Sequence, residues 1–421
     1  MQNFSNGLIK YQKILKGVRN ASQLFIAKSI SFMTKTIFNI PETLNRAHEL
    51  KRNNKIEEAI ALLEEVNLNV EHDSVIRVLI WFLMDTLNYK RVAELPHAQK
   101  YDAASYVIAK GFLDGNLSSE DPICLEGHQV LDNVAFISMV KDEEDIIFYN
   151  LLWHYALGLR KFFLIDNLST DRTLEYIKLF ERLFEDSQVF ILHDPVVAHY
   201  QGKKVTGACR FAMSLWDNLE WLVLTDADEF LCPKQPLHKI FDGIPKTIDA
   251  IVASKSFYNL VDGDSVEEDD LFFRRIGHRT PVTHTSSKVI MRANLQFNVS
   301  QGNHHIFAQD GKEISNYTSS LDLTYREFRM RSYPHHKKKV MNGGVAIAAA
   351  KQQGFMQVGG EHWEAVYNLY LKEGDVGLRR HLQNCINNSS RQTSIYDPLP
   401  LDKVIEKMDA SKKISFLIGK D

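Results

Sequence analysis

Cysteine and long apolar segments are scarce in this sequence. The 421 residues include only four cysteines, which lie far apart and form no CxxC pair: Cys124, Cys209, Cys232 and Cys385. This pattern argues against a disulfide framework and against a thiolate zinc site, and it favours a reducing, cytoplasmic compartment. Lys28 and Lys35 interrupt the longest apolar candidate, between Ala21 and Ile40. We therefore predict no membrane-spanning helix, since such a helix needs about 18 or more apolar residues in a row.

A strong net charge is also lacking. Fifty Lys and Arg residues against fifty-three Asp and Glu residues give a formal charge of -3, so no overall field favours nucleic acid as a partner. No GxGxxG motif follows the first predicted strand and no GxxxxGK[ST] motif occurs, which argues against a dinucleotide-binding enzyme and against a Walker-type NTPase. With 44% hydrophobic and 24% charged residues, the composition is that of a globular protein of about two or three domains.

Residues 1–40 differ from the rest in charge. They contain six basic residues and no Asp or Glu: Lys10, Lys13, Lys16, Arg19, Lys28 and Lys35. Phe4, Leu8, Tyr11 and Leu15 follow a helical spacing, which predicts a basic amphipathic helix. Such a helix either lies on an anionic membrane surface, at the inner face of the membrane, or packs on its own protein, and the sequence leaves both interpretations open.

Residues 41–130 have a helical pattern. Apolar residues recur at helical spacing on both sides of the break at Asn53-Asn54, which predicts a helical hairpin. The stretch AHELKRNNKIEEAIALLEE resembles one tetratricopeptide-like unit, and no second copy follows. We predict a small helical accessory domain, with an interaction role left open.

Strands and helices alternate from residue 131 onward. Short apolar runs typical of buried parallel strands are separated by helix-like stretches: Val134–Val140, Phe162–Ile165, Val189–Leu192 and Trp221–Thr225. This alternation predicts βαβ units and a parallel sheet with helices on both faces. Ligands of such sheets bind beyond the carboxyl ends of the strands.

Three of the predicted strands end in polar residues. The first ends in Lys141-Asp142-Glu143, the second in Asp166 to Asp171, and the fourth in Asp226-Ala227-Asp228. Two carboxylates at a strand tip can hold Mg²⁺ or Mn²⁺ beside a diphosphate. The alternative is a capped turn without metal, because Asp-x-Asp alone is a weak signal.

The ordered segments VKDEEDIIFYNLLWHYALGLRKFFLIDNLSTDRT and VTGACRFAMSLWDNLEWLVLTDADEF resemble the nucleotide-sugar glycosyltransferases of the GT-A fold, in their family-2-like branch. The resemblance covers about residues 131–345. It implies a Rossmann-like, mostly parallel α/β sheet flanked by helices. Outside the resemblance, the residue patterns predict an all-helical N-terminal region and a helical C-terminal extension over 346–421. It also implies Mn²⁺ or Mg²⁺, a nucleoside-diphosphate sugar donor with UDP favoured, a glycan or glycolipid acceptor, and by analogy a role in bacterial surface polysaccharide or lipopolysaccharide synthesis.

Matching motif to motif, the resemblance assigns roles to individual residues. Those implied to surround the nucleotide are Lys141, Glu143, Asp166, Asn167 and Asp171. Asp226 becomes a ribose or diphosphate partner, Asp228 the direct metal ligand, and His304 the histidine that returns to the metal, with His305 as the alternative. Arg331 and Lys339 are implied to face the diphosphate. Lys204 and Arg210, on the helix before the aspartate strand, could also reach phosphate.

The catalytic base is sought in the acidic stretch between Asp262 and Asp270. Repulsion among its carboxylates raises pKa values, which suits a base. The choice falls on Glu268 or Asp269 in an inverting reaction, and a flexible acidic loop is the alternative.

Two rival functions stay open. One is a nucleotidyltransferase, which would release pyrophosphate instead of a nucleoside diphosphate, and the other is an inactive transferase-like interaction protein.

Overall fold

The structure is a computed structural model that describes residues 38–114, 122–198, 200–267, 271–280, 283–354, 361–389, 394–412 and 414. The predicted basic helical segment covers residues 1–40, and of these residues 1–37 lie outside the described part of the chain. The chain divides into two compact units, one ending at Leu83 and the other running from Met84 to Asp421. None of the helices in the described ranges combines the length and apolar character that a membrane span requires.

The first unit contains the predicted helical hairpin. Helix α1 (Ile40–Arg52) begins after Asn39, whose side chain accepts a hydrogen bond from the backbone N–H of Glu42, and Pro41 occupies its first turn. The chain reverses at Asn54, which has a positive φ of 58°, and α2 (Ile56–Asn69) and α3 (Asp73–Asp85) follow. Ala47, Leu63 and Leu79 are fully buried between these helices.

The second unit begins with three short helices: α4 (Tyr89–Glu94), α5 (Ala98–Tyr101) and α6 (Ala103–Leu113). Four parallel strands follow, in the spatial order β4-β1-β2-β3. Their bounds and those of the intervening helices are β1 (Leu131–Val140), α7 (Ile147–Ala156), β2 (Leu159–Asp166), α8 (Thr173–Leu183), β3 (Gln188–His193), α9 (Gln201–Leu215) and β4 (Trp221–Leu224). The predicted α/β architecture, with a mostly parallel central sheet flanked by helices, is thus confirmed.

The sheet continues beyond β4 with strands of mixed direction. Strand β8 is antiparallel to β4 and β6, while β11 runs parallel to β6 and pairs with β5. The elements after β4 are β5 (Glu229–Pro233), α10 (Leu237–Asp242), β6 (Ala250–Tyr258), α11 (Phe272–Arg275), β7 (His278–Arg279), β8 (Thr283–Arg292), β9 (Phe297–Val299), a 3₁₀ turn (Gln301–Asn303), β10 (Ile306–Ala308), β11 (Tyr317–Phe328), α12 (Tyr333–Gln352), α13 (Glu361–Asn388), β12 (Ile395–Tyr396) and α14 (Leu401–Lys412).

Helix α7 fixes the segment that follows β4. The helix lies in the apolar core, yet it carries three polar side chains that are fully buried. Asn150 donates to the carbonyl of Glu229 at 2.7 Å, the Trp153 indole donates to the carbonyl of Leu231 at 2.7 Å, and His154 accepts from the Leu231 N–H at 3.3 Å. A buried polar group stabilises the fold only when it is hydrogen-bonded, so these contacts hold β5, and with it the Asp226–Asp228 turn, in one place.

Gly158 offers a direct test of the connection between α7 and β2. Its φ is +102°, and an added Cβ would lie 2.1 Å from the carbonyl oxygen of Gln129. We expect Gly158→Ala to lower the free energy of unfolding by about 2 kcal/mol or more, as measured by urea denaturation. The control is Gly207→Ala in α9, where no atom lies within 4 Å of the added Cβ; it should be neutral or slightly stabilising. Equal effects of the two changes would contradict this account.

Candidate functional site

The polar residues predicted at the strand ends meet at one edge of the sheet. Val140 pairs in register with Asp166, and Ile137 pairs with Leu224. Because β1, β2 and β4 are parallel, the segments that follow them leave the sheet at the same edge. The Lys141–Glu143 segment, the Asp166 loop and the Asp226–Asp228 turn are therefore neighbours.

Asp226 is held by residues from two distant segments. One of its carboxylate oxygens accepts from the Gln201 amide of α9 at 2.6 Å, and the other accepts from Lys288 of β8 at 2.7 Å. Burial disfavours the charged form of Lys288, but the carboxylates of Asp226 and Glu229 outweigh it and raise the pKa of this lysine above its usual value. The side chain of Asp226 keeps 33% of its surface exposed, so it is accessible to a ligand.

Asp228 and Glu229 are more deeply buried and are also paired with lysines. Lys339 of α12 lies 2.5 Å from the Asp228 carboxylate, while Glu229 is bound by Lys255 of β6 and, at 3.1 Å, by Lys288. Lys255 also pairs with Glu327 of β11 at 2.5 Å. A buried carboxylate is stable only beside a cation or several hydrogen bonds, and here lysines from three separate elements supply the cations.

Arg331 links the first strand end to the start of α12. Its guanidinium binds Asp145 with two hydrogen bonds of 2.6 and 2.8 Å and Glu143 with one of 2.5 Å. Burial raises the pKa of Glu143 to about 7, and the shared Arg331 cation only partly opposes this shift. Asp145 keeps 23% of its side chain exposed. Partial burial disfavours its charged form, but the stronger contact with Arg331 outweighs this effect and holds the pKa of Asp145 below the usual range.

The Asp166–Asp171 loop is fixed from both sides. Lys141 donates to the carbonyls of Asn167 and Leu168 at 3.0 and 2.8 Å, and the backbone N–H of Ser169 donates to Asp166 at 3.2 Å. On the other side, Lys338 of α12 lies 3.0 Å from the Asp171 carboxylate. Consecutive residues of one helix, Lys338 and Lys339, thus connect this loop to Asp228.

The predicted phosphate-binding cations of α9 differ in position. Lys204 pairs with Asp194 at 2.5 Å, and Asp194 accepts from the Asn167 amide at 2.9 Å, so Lys204 belongs to the network around the Asp166 loop. Arg210 donates to Asn298 of β9 at 2.8 Å. The structure therefore links Lys204 to the predicted site residue Asn167 through Asp194, whereas Arg210 pairs with Asn298.

His304 lies just after the turn that contacts Asp226. The turn is tied to that carboxylate through Asn303, at 3.5 Å, and through Gln201, which accepts from the Gly302 N–H at 3.2 Å. The Nδ1–H of His304 donates to the Ser287 carbonyl at 2.5 Å, which leaves Nε2 as the unprotonated nitrogen. Burial, together with the Lys288 and Lys255 cations, lowers the pKa of His304 to about 3. His305 has a different environment, with its Nδ1 3.1 Å from Glu313.

Helix α12 closes over the carboxylates. A narrow crevice of about 20 Å³ lies at the start of this helix, lined by Asp142, Asp145, His335 and Lys338 among others. A larger cavity of about 630 Å³ is lined by Phe273, Tyr396, Pro398 and neighbouring residues of the C-terminal segment, and none of the predicted site residues lines it.

The sequence pattern did not identify every member of the cluster. The sequence pattern assigns no role to Lys255 and Lys288. Lys255 follows the apolar run Ala250–Ala253 and Lys288 precedes the run Val289–Met291, and a lysine that borders a buried strand run is a signal that could have identified them. Gln201 and Asp145 carry no such signal. Glu268 and Asp269, predicted as the base, lie outside the described residues.

Comparison with known proteins gives only distant similarity. No family model and no curated protein matches the chain. Among solved structures, TarS from S. aureus is 14% identical with a TM-score of 0.30, over 57% of this chain and 43% of TarS. The mannosyltransferase PcManGT from Pyrobaculum calidifontis, in complex with GDP-Man and Mn²⁺, is 13% identical with a TM-score of 0.30, over 82% of this chain and 100% of that protein. HddC from Yersinia pseudotuberculosis is 12% identical with a TM-score of 0.22, over 40% of this chain and 74% of HddC. The chain thus spans less than half the length of TarS, and TM-scores this low do not assign an activity.

Arg331→Met tests the buried ion cluster. Because the change leaves Glu143 and Asp145 without their shared cation, we expect the free energy of unfolding to fall by about 3–5 kcal/mol in urea denaturation. The control is Arg380→Met, which removes a guanidinium that is 57% exposed and paired with Glu373; it should change stability by less than about 1 kcal/mol. A loss below about 1 kcal/mol for Arg331→Met would contradict a buried, charged cluster.

Glu143 should also make stability depend on pH. Its pKa is raised from 4.5 to about 7 in the fold, so the stability it contributes is fully present below pH 4.5 and is lost as the pH rises through 7. Glu143→Gln removes this loss, and its melting temperature relative to wild type should therefore increase between about pH 5 and about pH 8. The control is the exposed Glu58→Gln. A difference that stays constant with pH would show that Glu143 does not titrate in this range.

Proposed function

We propose that the protein is a metal-dependent glycosyltransferase, which moves a sugar from a nucleoside-diphosphate sugar to a hydroxyl group of a glycan or glycolipid, with inversion at the anomeric carbon. One observation carries the proposal: Asp226 and Asp228 lie at the carboxyl edge of the parallel strands, beside the Asp166 loop, and each is paired with a lysine. The resemblance of the sequence to GT-A enzymes suggested the same reaction.

The donor set suits a hard divalent cation. Asp226 and Asp228 offer carboxylate oxygens, and His304 offers Nε2 because its Nδ1–H is bound to a backbone carbonyl. Histidines that bind metals commonly donate their second ring nitrogen in this way. Oxygen ligands with one imidazole fit Mn²⁺, and with more waters Mg²⁺. Among the described residues, the ligand atoms of these three do not all lie within 4.8 Å of one another, so their side chains would have to rotate to hold the ion, which would neutralise charge on the departing diphosphate.

The lysines at the site would exchange partners when the donor binds. Lys339 and Lys288 now neutralise Asp228 and Asp226. An ammonium group on a flexible stem can turn from a carboxylate to a phosphate oxygen when a stronger cation takes its place. Since Lys339 and Lys338 belong to α12, the same step would release the helix from Asp228 and from the Asp171 loop. The diphosphate would then face Lys339, with Lys204 on its other flank.

The nucleoside would bind in the Asp166–Asp171 loop. Asp166 is buried at the end of β2, and Asn167 is oriented by Asp194 and by the Val196 carbonyl. Fixed hydrogen-bonding groups of this kind suit a base and a ribose. UDP stays the favoured nucleotide, and Glu268 or Asp269 the proposed base that takes the acceptor proton.

The decisive experiment measures thermal stabilisation by UDP, GDP, CDP and ADP and by their sugar conjugates, each with and without Mn²⁺. The proposal predicts Mn²⁺-dependent stabilisation by one nucleotide family. Release of a nucleoside diphosphate on turnover supports sugar transfer, whereas release of pyrophosphate would identify a nucleotidyltransferase. A protein that no nucleotide stabilises would be an interaction protein and not an enzyme of this class.

Asp228→Asn is the matching mutational test. The change keeps the side-chain shape but removes the charge, so Mn²⁺-dependent stabilisation by the donor should disappear and turnover should fall by a factor of about 100 or more. The control is Asp217→Asn, an exposed aspartate before the start of β4, at the opposite edge of the sheet. If Asp228→Asn still bound the donor in a Mn²⁺-dependent way, Asp228 would not be a metal ligand.

A further inference from the structure

A second group of possible metal ligands lies outside the carboxylate cluster. Asp102, His305 and Glu313 each offer one ligand atom, and these three atoms all lie within 4.8 Å of one another. They come from three separate segments: the start of α6, the residue before β10, and the chain that returns after β10. The fold alone therefore brings them together.

We propose that Asp102, His305 and Glu313 form a second divalent metal site, of a mixed nitrogen and oxygen type that suits Zn²⁺. One imidazole and two carboxylates are a common donor set for this ion. The His305 nitrogen is already 3.1 Å from a Glu313 oxygen, close to the separation of about 3.3 Å between ligands on a tetrahedral zinc ion. Only small side-chain rotations are then needed to bring in the Asp102 oxygen.

The three ligands are held by the surrounding backbone and side chains. Both oxygens of Asp102 accept hydrogen bonds from Ser105, one from its N–H and one from its hydroxyl, each at 2.9 Å. Glu313 is bridged to Phe307, which places Glu313 and His305 as diagonal neighbours on one face of the hairpin. Hydrogen bonds that orient a ligand in advance raise the affinity of a metal site.

The three side chains are largely shielded from solvent. Asp102 is fully buried, Glu313 has a side chain only 4% exposed, and His305 is 18% exposed. A water molecule reaching the site from the His305 side would complete four-coordination. The ion would join α6 to the hairpin that begins directly after His304, and so would stiffen the turn that positions His304. The metal site itself does not depend on the proposed transferase activity.

The test separates the two sites. In the double variant Asp226→Asn/Asp228→Asn, which lacks both carboxylates of the proposed donor site, calorimetric titration with Zn²⁺ should still show one bound ion per chain. Adding Glu313→Gln should weaken that binding at least about tenfold. The matched control is Asp310→Asn, an aspartate of the same hairpin that is 53% exposed and pairs with Lys312; it should leave the affinity unchanged. No binding by the double variant, or equal affinity with Glu313→Gln, would overturn the proposal.

A crystallographic measurement covers the case in which Glu313→Gln fails to fold. Crystals of the double variant soaked in Zn²⁺ should show an anomalous peak at the zinc absorption edge between Asp102, His305 and Glu313. A peak only at other histidines, or no peak, would show that the three residues form a hydrogen-bonded group without a metal. Because both donor-site carboxylates are absent from this variant, neither result depends on whether the proposed transferase reaction occurs.

Discussion

The second unit depends on the neutralisation of the buried carboxylates at the carboxyl edge of its parallel strands. Asp228 and Glu229 follow an apolar strand and are almost fully buried, where an unpaired charge would destabilise the fold by several kcal/mol. Cations must therefore reach them from elsewhere in the chain. Lys255, Lys288 and Lys339 do so from β6, β8 and α12, and these contacts fix how the mixed half of the sheet and the first C-terminal helix lie against the parallel half.

The two halves of the sheet contribute different chemistry to the site. The parallel strands β1, β2 and β4 bring carboxylates and amides to their carboxyl ends, whereas β6 and β8 bring lysines from within their lengths. The two strands that carry lysines are therefore neighbours, and β8 lies directly beside β4, whose end carries Asp226 and Asp228. Under the proposed function, Lys288 and Lys339, which neutralise these two aspartates, would bind phosphate oxygens when a divalent ion takes their position.

Two adjacent histidines have separate roles in this arrangement. The His304 ring is bound to the Ser287 carbonyl of β8, and His305 faces Glu313 on the hairpin. Ser300 holds both backbone N–H groups with one hydroxyl, at 3.1 and 2.9 Å. Gly302, with a φ of +73°, makes this possible because a Cβ at that position would lie 2.4 Å from the His304 ring. One short turn thus places His304 against β8 of the sheet and His305 near Asp102 at the start of α6.

The sequence by itself determined the parallel strands and the acidic groups at their ends. Continuous apolar runs such as Val134–Val140 are stable only between two layers of helices, and the polar residues that follow them must then leave at one edge. Only the tertiary structure decided which cation meets which carboxylate, that Arg331 is shared between Glu143 and Asp145, and that Arg210 pairs with Asn298 instead of joining the cluster. These partners are separated by tens to hundreds of positions in the chain, and a lysine in a strand carries no local signal of the carboxylate it will neutralise. Periodicity reports the burial of a residue, whereas the choice of an ionic partner depends on the packing of the completed fold.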